Sequence, residues 1–267
     1  MKIISFIDID GHIHSGCDAE NGEASIVGRN PLGEFRDTKE RVKIKLILPC
    51  VKPVAILCIG LNYRLHAKET GLEIPQYPVL FMKNPASITS DGSDIIIPDS
   101  CIDPPQVDFE AELAVVIGKI AKNVKKEEAL EYVSGYTCAN DISAREWQKR
   151  AGAQQWIKGK SFDTFCPVGP VFVTKDEIEN PQDLDIQCRV NGEVMQKSNT
   201  SDMIFSIGEI IEYLSESATL LPGTIILTGT PSGVGFTRKP PKFLMPGDIL
   251  ETEIEGIGKL TNYIKKQ

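Results

Sequence analysis

The chain has 267 residues, 41% of them hydrophobic and 25% charged, which supplies a substantial core and excludes a disordered polymer. Its 29 basic and 37 acidic side chains give a net charge of −8, against the broad basic footprint of a nucleic-acid binder. No apolar run approaches the length of a membrane span, and Asp8 interrupts the opening Met1–Asp10 stretch, so neither a membrane partner nor a secretory leader is expected.

Residues 1–53 read as a small β-rich module. Lys2–Asp10 and His12–Cys17 flank Asp10-Gly11, a dipeptide suited to a tight hairpin turn. His12 and His14 superficially resemble the HxH metal motif of amidohydrolase barrels. Such a site needs further histidines from later strands, and His66 alone remains, so the pair is read as part of a surface hairpin. Val42–Pro49 closes the module and Pro53 marks its junction with the rest, residues 54–267.

From Val54 short apolar strands follow one another, punctuated by Gly and Pro. They are predicted at 54–60, 78–83, 94–98, 109–118, 166–174, 185–192, 224–229 and 248–256. Helices are predicted at 127–135 and at 202–219, the latter with Asp202 near its start. Strands that outnumber helices without βα alternation indicate a β-rich α+β fold. The seven cysteines are scattered and form no CxxC, which argues against a zinc knuckle and for reduced thiols in a cytosol or organelle matrix, and a cytoplasmic location is expected.

The densest chemistry lies in Asp108–Gly118. Read as a strand, its period of two puts Asp108, Glu110 and Glu112 on one face with Ala114 and Val116, opposite a wholly apolar face. Stacked carboxylates repel unless water, a base or a cation neutralises them, so the face is either solvated or a site. Asp141, after the strand-like Gly135–Cys138, is either a helix N-cap or a third carboxylate. Three such oxygens would suit Mg²⁺, Mn²⁺ or Ca²⁺ rather than zinc.

If Asn62–Thr70 is a short helix, His66 and Glu69 share a face one turn apart. They form either a surface ion pair or a general base with its orienting carboxylate. Lys160 lies in a Gly-flanked loop that could aim an ammonium at a developing oxyanion. Thr228–Gly235 lacks the GK[ST] ending of a P-loop. It is either a tight turn or a set of backbone N–H groups for a substrate carboxylate.

The order of these pieces is specific: Gly60–Gly71, Pro78–Pro85, Val107–Gly118, Gly135–Gln148, Lys158–Pro170 and Ile226–Gly235. In that order the chain resembles the fumarylacetoacetate hydrolase family, from about Ile56 to the C-terminus. Gly159–Pro170, Asn191–Thr200 and Phe236–Asp248 resemble most its branch of fumarylacetoacetate hydrolase domain-containing protein 2, linked to oxaloacetate chemistry. The resemblance implies a mixed β-sandwich roll with a metal at its centre. It implies Glu110, Glu112 and Asp141 as metal carboxylates, Mg²⁺ (or Mn²⁺ or Ca²⁺) as the ion, and no organic cofactor. His66 and Glu69 match the catalytic dyad and Lys160 the lysine facing the substrate oxygen. Arg145, Gln148 and Thr230 match substrate-contacting positions, with Lys83 a further candidate. A homodimer acting on a small 2-oxo acid is also implied.

The activity expected first is divalent-metal-dependent hydrolysis of C–C bonds in small 2-oxo or β-diketo acids, of the acylpyruvate or fumarylacetoacetate type, through an enolate. The alternative is oxaloacetate enol–keto tautomerisation or decarboxylation at the same site. A non-catalytic metal-binding homologue is disfavoured by the intact His66, Glu69 and Lys160. One departure stands out: the founding hydrolase has a further metal-binding aspartate seven residues before its histidine, where this chain has Ile59.

Overall fold

A computed structural model describes residues 1–29, 35–149 and 155–267. Among the described residues the fold is built on two mixed sheets. The larger has 11 strands. From one edge to the other its main path runs through Ile13–Glu20, Glu23–Arg29, Phe35–Leu48, Lys2–Asp8, Cys166–Thr174, Val133–Asn140, Ala111–Ile117, Thr224–Leu227, Ala55–Gly60 and Val79–Lys83. Thr224–Leu227 and Ala55–Gly60 run parallel, while their outer neighbours are antiparallel. The second sheet has five strands, ordered Glu193–Asn199, Asp185–Val190, Ile249–Ile254, Gly258–Lys266 and Asp94–Ile97.

The main core fills the space between the sheets. Leu113, Val115, Tyr136 and Cys138 of the large sheet meet Ile186, Cys188, Leu250 and Leu260 of the small one. The opposite face of the large sheet is buried too: Ala114, Val116, Ala139, Val168 and Leu227 pack with Ile3, Cys17 and Val27 of the N-terminal strands. A strand covered on both faces has no side for water, which is why Ala111–Ile117 is buried at every position. The N-terminal strands join this sheet through Lys2 and Ile3, which pair with Val173 and Phe172. The hairpin about Asp10-Gly11 forms as its sequence predicts, with Ile7 opposite Ile13. All seven cysteines are free thiols, six of them buried. No helix among the described residues is long and apolar enough to cross a membrane.

Two helical expectations are corrected. The predicted 127–135 helix is a single 3-10 turn, Ala129–Tyr132, because Val133 onward is drawn into the strand Val133–Asn140 between two neighbours. The predicted 202–219 helix spans Ile207–Ser215. Its start is set by Ser206, whose hydroxyl accepts from the Glu209 N–H while the Glu209 carboxylate accepts the Ser206 N–H. Asp202 instead accepts the Leu65 N–H, at 3.1 Å, on another helix.

Candidate active site

Two chain segments are stitched together at the acidic motif. Ala111 pairs with Asn140 in the antiparallel register of Ala111–Ile117 against Val133–Asn140. Just beyond that pair, the Glu110 N–H donates to Asn140 Oδ1 and the Asp141 N–H donates to the Glu110 carbonyl, both at 2.8 Å. The continuous strand predicted from Asp108 is therefore interrupted: Val107–Asp108 pairs with Ser143–Ala144, and regular pairing resumes at Ala111. The interruption turns Glu110 toward Asp141. Ligand oxygens of Glu110, Glu112 and Asp141 converge within 4.8 Å of one another, and all three residues are buried. The solvated-face alternative for the carboxylates, and the N-cap alternative for Asp141, do not describe this arrangement.

Buried carboxylates need compensation, and most of it is visible. Asp108 accepts the N–H groups of Gly235 and Phe236 at 2.7 and 3.0 Å and the Arg145 Nε at 3.0 Å. Arg145 in turn places Nη2 2.6 Å from Glu110 Oε1, with its guanidinium over the Phe236 ring. Lys160 Nζ lies 2.8 Å from Glu110 Oε2, 2.6 Å from Asp141 Oδ2 and 2.8 Å from Ser143 Oγ. Lys83 Nζ donates to Asp141 Oδ1 at 2.5 Å and to the Ile142 carbonyl at 3.2 Å. Burial alone would raise the Glu110 carboxyl, but Lys160 and Arg145 outweigh it and hold it well below the usual carboxylate range. Burial opposes the charge of Lys160 too, and Asp141 with Glu110 reverses that, raising it.

Glu112 is the exception. Its Oε2 accepts the Gly229 N–H at 2.6 Å, and no ion pair to it is found among the described residues. Burial, then Asp141 and Glu110, push its carboxyl well above the usual range. Four buried carboxylates, counting Asp108, thus face three cations: Arg145, Lys160 and Lys83. A divalent cation beside Glu112 would more than cancel this single excess negative charge, and an all-oxygen donor set suits a hard ion. The residues present fit such an ion.

His66 and Glu69 stand on the helix Arg64–Thr70, with His66 Nδ1 3.1 Å from Glu69 Oε2. The helix is pinned by Asn62, whose amide nitrogen donates to the Thr228 and Phe205 carbonyls and whose oxygen accepts the Phe205 N–H. Lys160 ends a short helix, Trp156–Lys160, rather than lying in the predicted loop. Gly159 lets that helix approach closely, since a Cβ there would stand 2.7 Å from the Gln148 nitrogen. In the Thr228–Gly235 loop the N–H groups of Gly229, Gly233 and Gly235 are occupied by Glu112, Glu69 and Asp108. The loop therefore binds the protein's own carboxylates, where the sequence leaves a tight turn or a substrate carboxylate as its readings.

A cavity of about 280 Å³ opens here. His66, Glu110, Glu112, Arg145, Gln148, Lys160 and Thr230 reach its wall, beside apolar Ile59, Leu72, Phe81, Trp156 and Phe236. Gln148 Oε1 accepts from Arg145 at 3.0 Å. Thr230 donates its hydroxyl to the Ala111 carbonyl at 2.9 Å. Asp141, Glu69 and Lys83 stand behind the wall; Lys83 faces Asp141 rather than the space a ligand would fill. Sequence reasoning missed two supports. Asp108 anchors Arg145, and Gln196 joins the Ala111 N–H to Thr230 and the Pro231 carbonyl. Asp108 carried a signal by sharing the acidic motif, and Gln196 lies in the Asn191–Thr200 segment of the resemblance but nothing there marked it as a support of the site.

This fold is shared with hydrolases and isomerases that act on small acids. The family described as fumarylacetoacetate (FAA) hydrolase C-terminal matches residues 55–265, and the chain belongs to the fumarylacetoacetate hydrolase family. It is 45% identical over 244 residues to the oxaloacetate tautomerase fahd2, mitochondrial, of Xenopus laevis, covering 91% of this chain and 76% of that one. A crystal structure of 5-carboxymethyl-2-hydroxymuconate delta-isomerase from Mycobacterium smegmatis is similar with a TM-score of 0.85 and 34% identity, over 100% of both chains. Fumarylacetoacetate hydrolase from Exiguobacterium antarcticum is similar with a TM-score of 0.83 and 35% identity, again over 100% of both chains. The mitochondrial location belongs to the name of the Xenopus relative and gives the cytoplasmic expectation no support.

Proposed function

We propose that this protein is an enol–keto tautomerase of oxaloacetate or a closely similar small 2-oxo dicarboxylic acid, with Mg²⁺ at Glu110, Glu112 and Asp141. This favours the alternative reading of the sequence over C–C hydrolysis, which was expected first. The observation that carries it is His66 on the cavity wall with Glu69 behind it on Nδ1, in a chain 45% identical to an oxaloacetate tautomerase.

Tautomerisation needs one group that takes a proton from the enol hydroxyl and returns one to carbon. With Glu69 on Nδ1, the His66 ring has its tautomer set and its other nitrogen left for that exchange. Arg145 and the Lys160 ammonium supply positive charge at the floor of the cavity, where a 2-oxo acid is anionic. A divalent cation bound at the three carboxylates would act as a Lewis acid on the ligand's oxygens. A ligand seated against apolar Ile59 and Phe81 on the same cavity wall would displace water there, which would favour proton return over hydrolytic attack.

Hydrolysis uses the same base on a water molecule, and the likeness to the Exiguobacterium hydrolase keeps it as the second reading. The test is to add Mg²⁺-supplemented protein to enol-oxaloacetate and to acetylpyruvate, following the enol absorbance and the products by NMR. The proposal expects fast loss of the enol band with oxaloacetate intact and acetylpyruvate uncleaved. Acetate and pyruvate from acetylpyruvate, with no acceleration of ketonisation, would overturn it in favour of hydrolysis.

A further inference from the structure

The N-terminal hairpin holds a second cluster of metal-ligating side chains, which shares no residue with the acidic centre. We propose that Asp8, His12 and His14 form a binding site for a borderline transition-metal ion such as Zn²⁺. The chain has three histidines, and two of them meet here. Sequence alone sets these two aside, because an HxH pair without partners from later strands is an incomplete site. The fold supplies the missing partner from the preceding strand.

The strands Lys2–Asp8 and Ile13–Glu20 pair antiparallel, with Phe6 opposite His14. The turn between them is closed by Asp8, whose backbone N–H donates to the His12 carbonyl at 3.0 Å. Asp8 Oδ1 accepts the N–H groups of Asp10 and His12 at 2.9 and 2.8 Å. This fixes the carboxylate and leaves Oδ2 for the imidazoles. His14 Nε2 stands 2.7 Å from that oxygen and His12 Nδ1 stands 3.4 Å from it. Ligand atoms of all three residues lie within 4.8 Å of one another.

Ligands about 2.0–2.1 Å from a zinc ion in tetrahedral geometry are separated by roughly 3.4 Å, so small rotations of the two rings complete the set. The site is graded in exposure: the Asp8 side chain is 7% exposed, His14 20% and His12 74%. An ion can therefore arrive from solvent, be held against a fixed carboxylate, and keep water in its remaining positions. The donor chemistry also separates the two clusters. Imidazole suits zinc, copper, nickel and iron, whereas the oxygen-only set of Glu110, Glu112 and Asp141 suits magnesium, calcium and manganese. Because the ligands come from both strands of the hairpin, binding there would clip its turn.

The test is a Zn²⁺ titration of untagged protein in excess Mg²⁺, read by long-range ¹H–¹⁵N spectra of the three imidazoles. One equivalent is expected to move the His12 and His14 ring signals and leave His66 in place. Calorimetric titration of H12Q and H14Q is expected to show zinc affinity at least about tenfold weaker, since even partners of metal ligands cost that much. H12Q changes an exposed side chain, so it reads binding without disturbing the fold. Unmoved His12 and His14 signals at one equivalent, or wild-type zinc affinity in H12Q, would overturn the site. The contacts would then be hydrogen bonds of the hairpin and no more.

Discussion

Glu69 accepts the backbone N–H of Gly233 at 3.0 Å, across 164 residues of chain, while its other face orients His66. One carboxylate thus ties the helix carrying the base to the Gly-rich loop that lines the acidic centre. Burial would raise Glu69, but the His66 and Gly233 hydrogen bonds outweigh it and hold the carboxyl below its usual value. Glu69→Gln keeps the size and an acceptor for Gly233 but loses the charge beside His66. Turnover is expected to fall about 10²-fold, the lower end of what a general base contributes. Steady-state kinetics alongside a thermal melt check this; unchanged turnover would remove Glu69 from the mechanism.

The same contact makes Gly233 a structural constraint. It adopts φ +102°, and a Cβ there would stand 2.2 Å from the Met195 carbonyl oxygen, a backbone atom with little room to retreat. Gly233→Ala is expected to cost at least about 1–3 kcal/mol from the backbone conformation alone. The clash adds to this, and His66 loses its support with the loop. A lowered melting temperature together with lost turnover is the expected pair of observations.

Glu112 should make cation binding and pH interdependent. Its carboxyl is pushed up by burial and by its neighbours, so its stabilising contribution is present below the ordinary Glu value and is lost as pH rises through the raised one. Without divalent cation, this contribution should weaken as pH rises above the ordinary Glu range. Mg²⁺ competes with that proton, so its stabilising effect should grow with pH. At a hundred times its dissociation constant a ligand adds about 2.7 kcal/mol. For a chain of this size that is roughly 5–10 °C in melting temperature. Glu112→Gln should flatten the pH dependence and weaken the response to Mg²⁺. A melt series across pH, with and without Mg²⁺, decides it.

Lys83 offers a separation of roles. It was a substrate candidate by resemblance, yet its ammonium is buried against Asp141. Lys83→Met should leave that carboxylate without one of its two lysines, at a cost of about 3–5 kcal/mol for breaking a buried pair. The expected result is a large drop in melting temperature, partly restored by excess Mg²⁺. A raised KM with an unchanged melting temperature would instead return Lys83 to the ligand.

Much of the site was legible along the chain. His66 and Glu69 are three residues apart, and helical geometry alone brings them together. Glu110 and Glu112 stand out as carboxylates two residues apart in a largely apolar motif, although the strand that would set them on one face is broken at Glu110. Most strands from Val54 onward were legible from alternation, β-branched residues and Gly or Pro boundaries, which are local signals, whereas Glu193–Asn199 and Gly258–Lys266 were not predicted. Local signals failed where pairing partners decided the outcome. Residues 127–135 have a helical pattern, but sheet neighbours draw Val133 onward into a strand.

By itself, then, the sequence determined which acids, bases and strands this protein has, since those follow from side-chain chemistry and short-range periodicity. The tertiary structure decided which of them meet. Asp141 reaches Glu110 only because two strands align Ala111 with Asn140, and Glu112 lacks a cation because Lys83 and Lys160 are committed elsewhere. The hairpin likewise joins Asp8 to a pair of histidines that looked incomplete in the chain. Charges interact through space over a few ångströms, and that distance is set by register and packing rather than by separation along the chain.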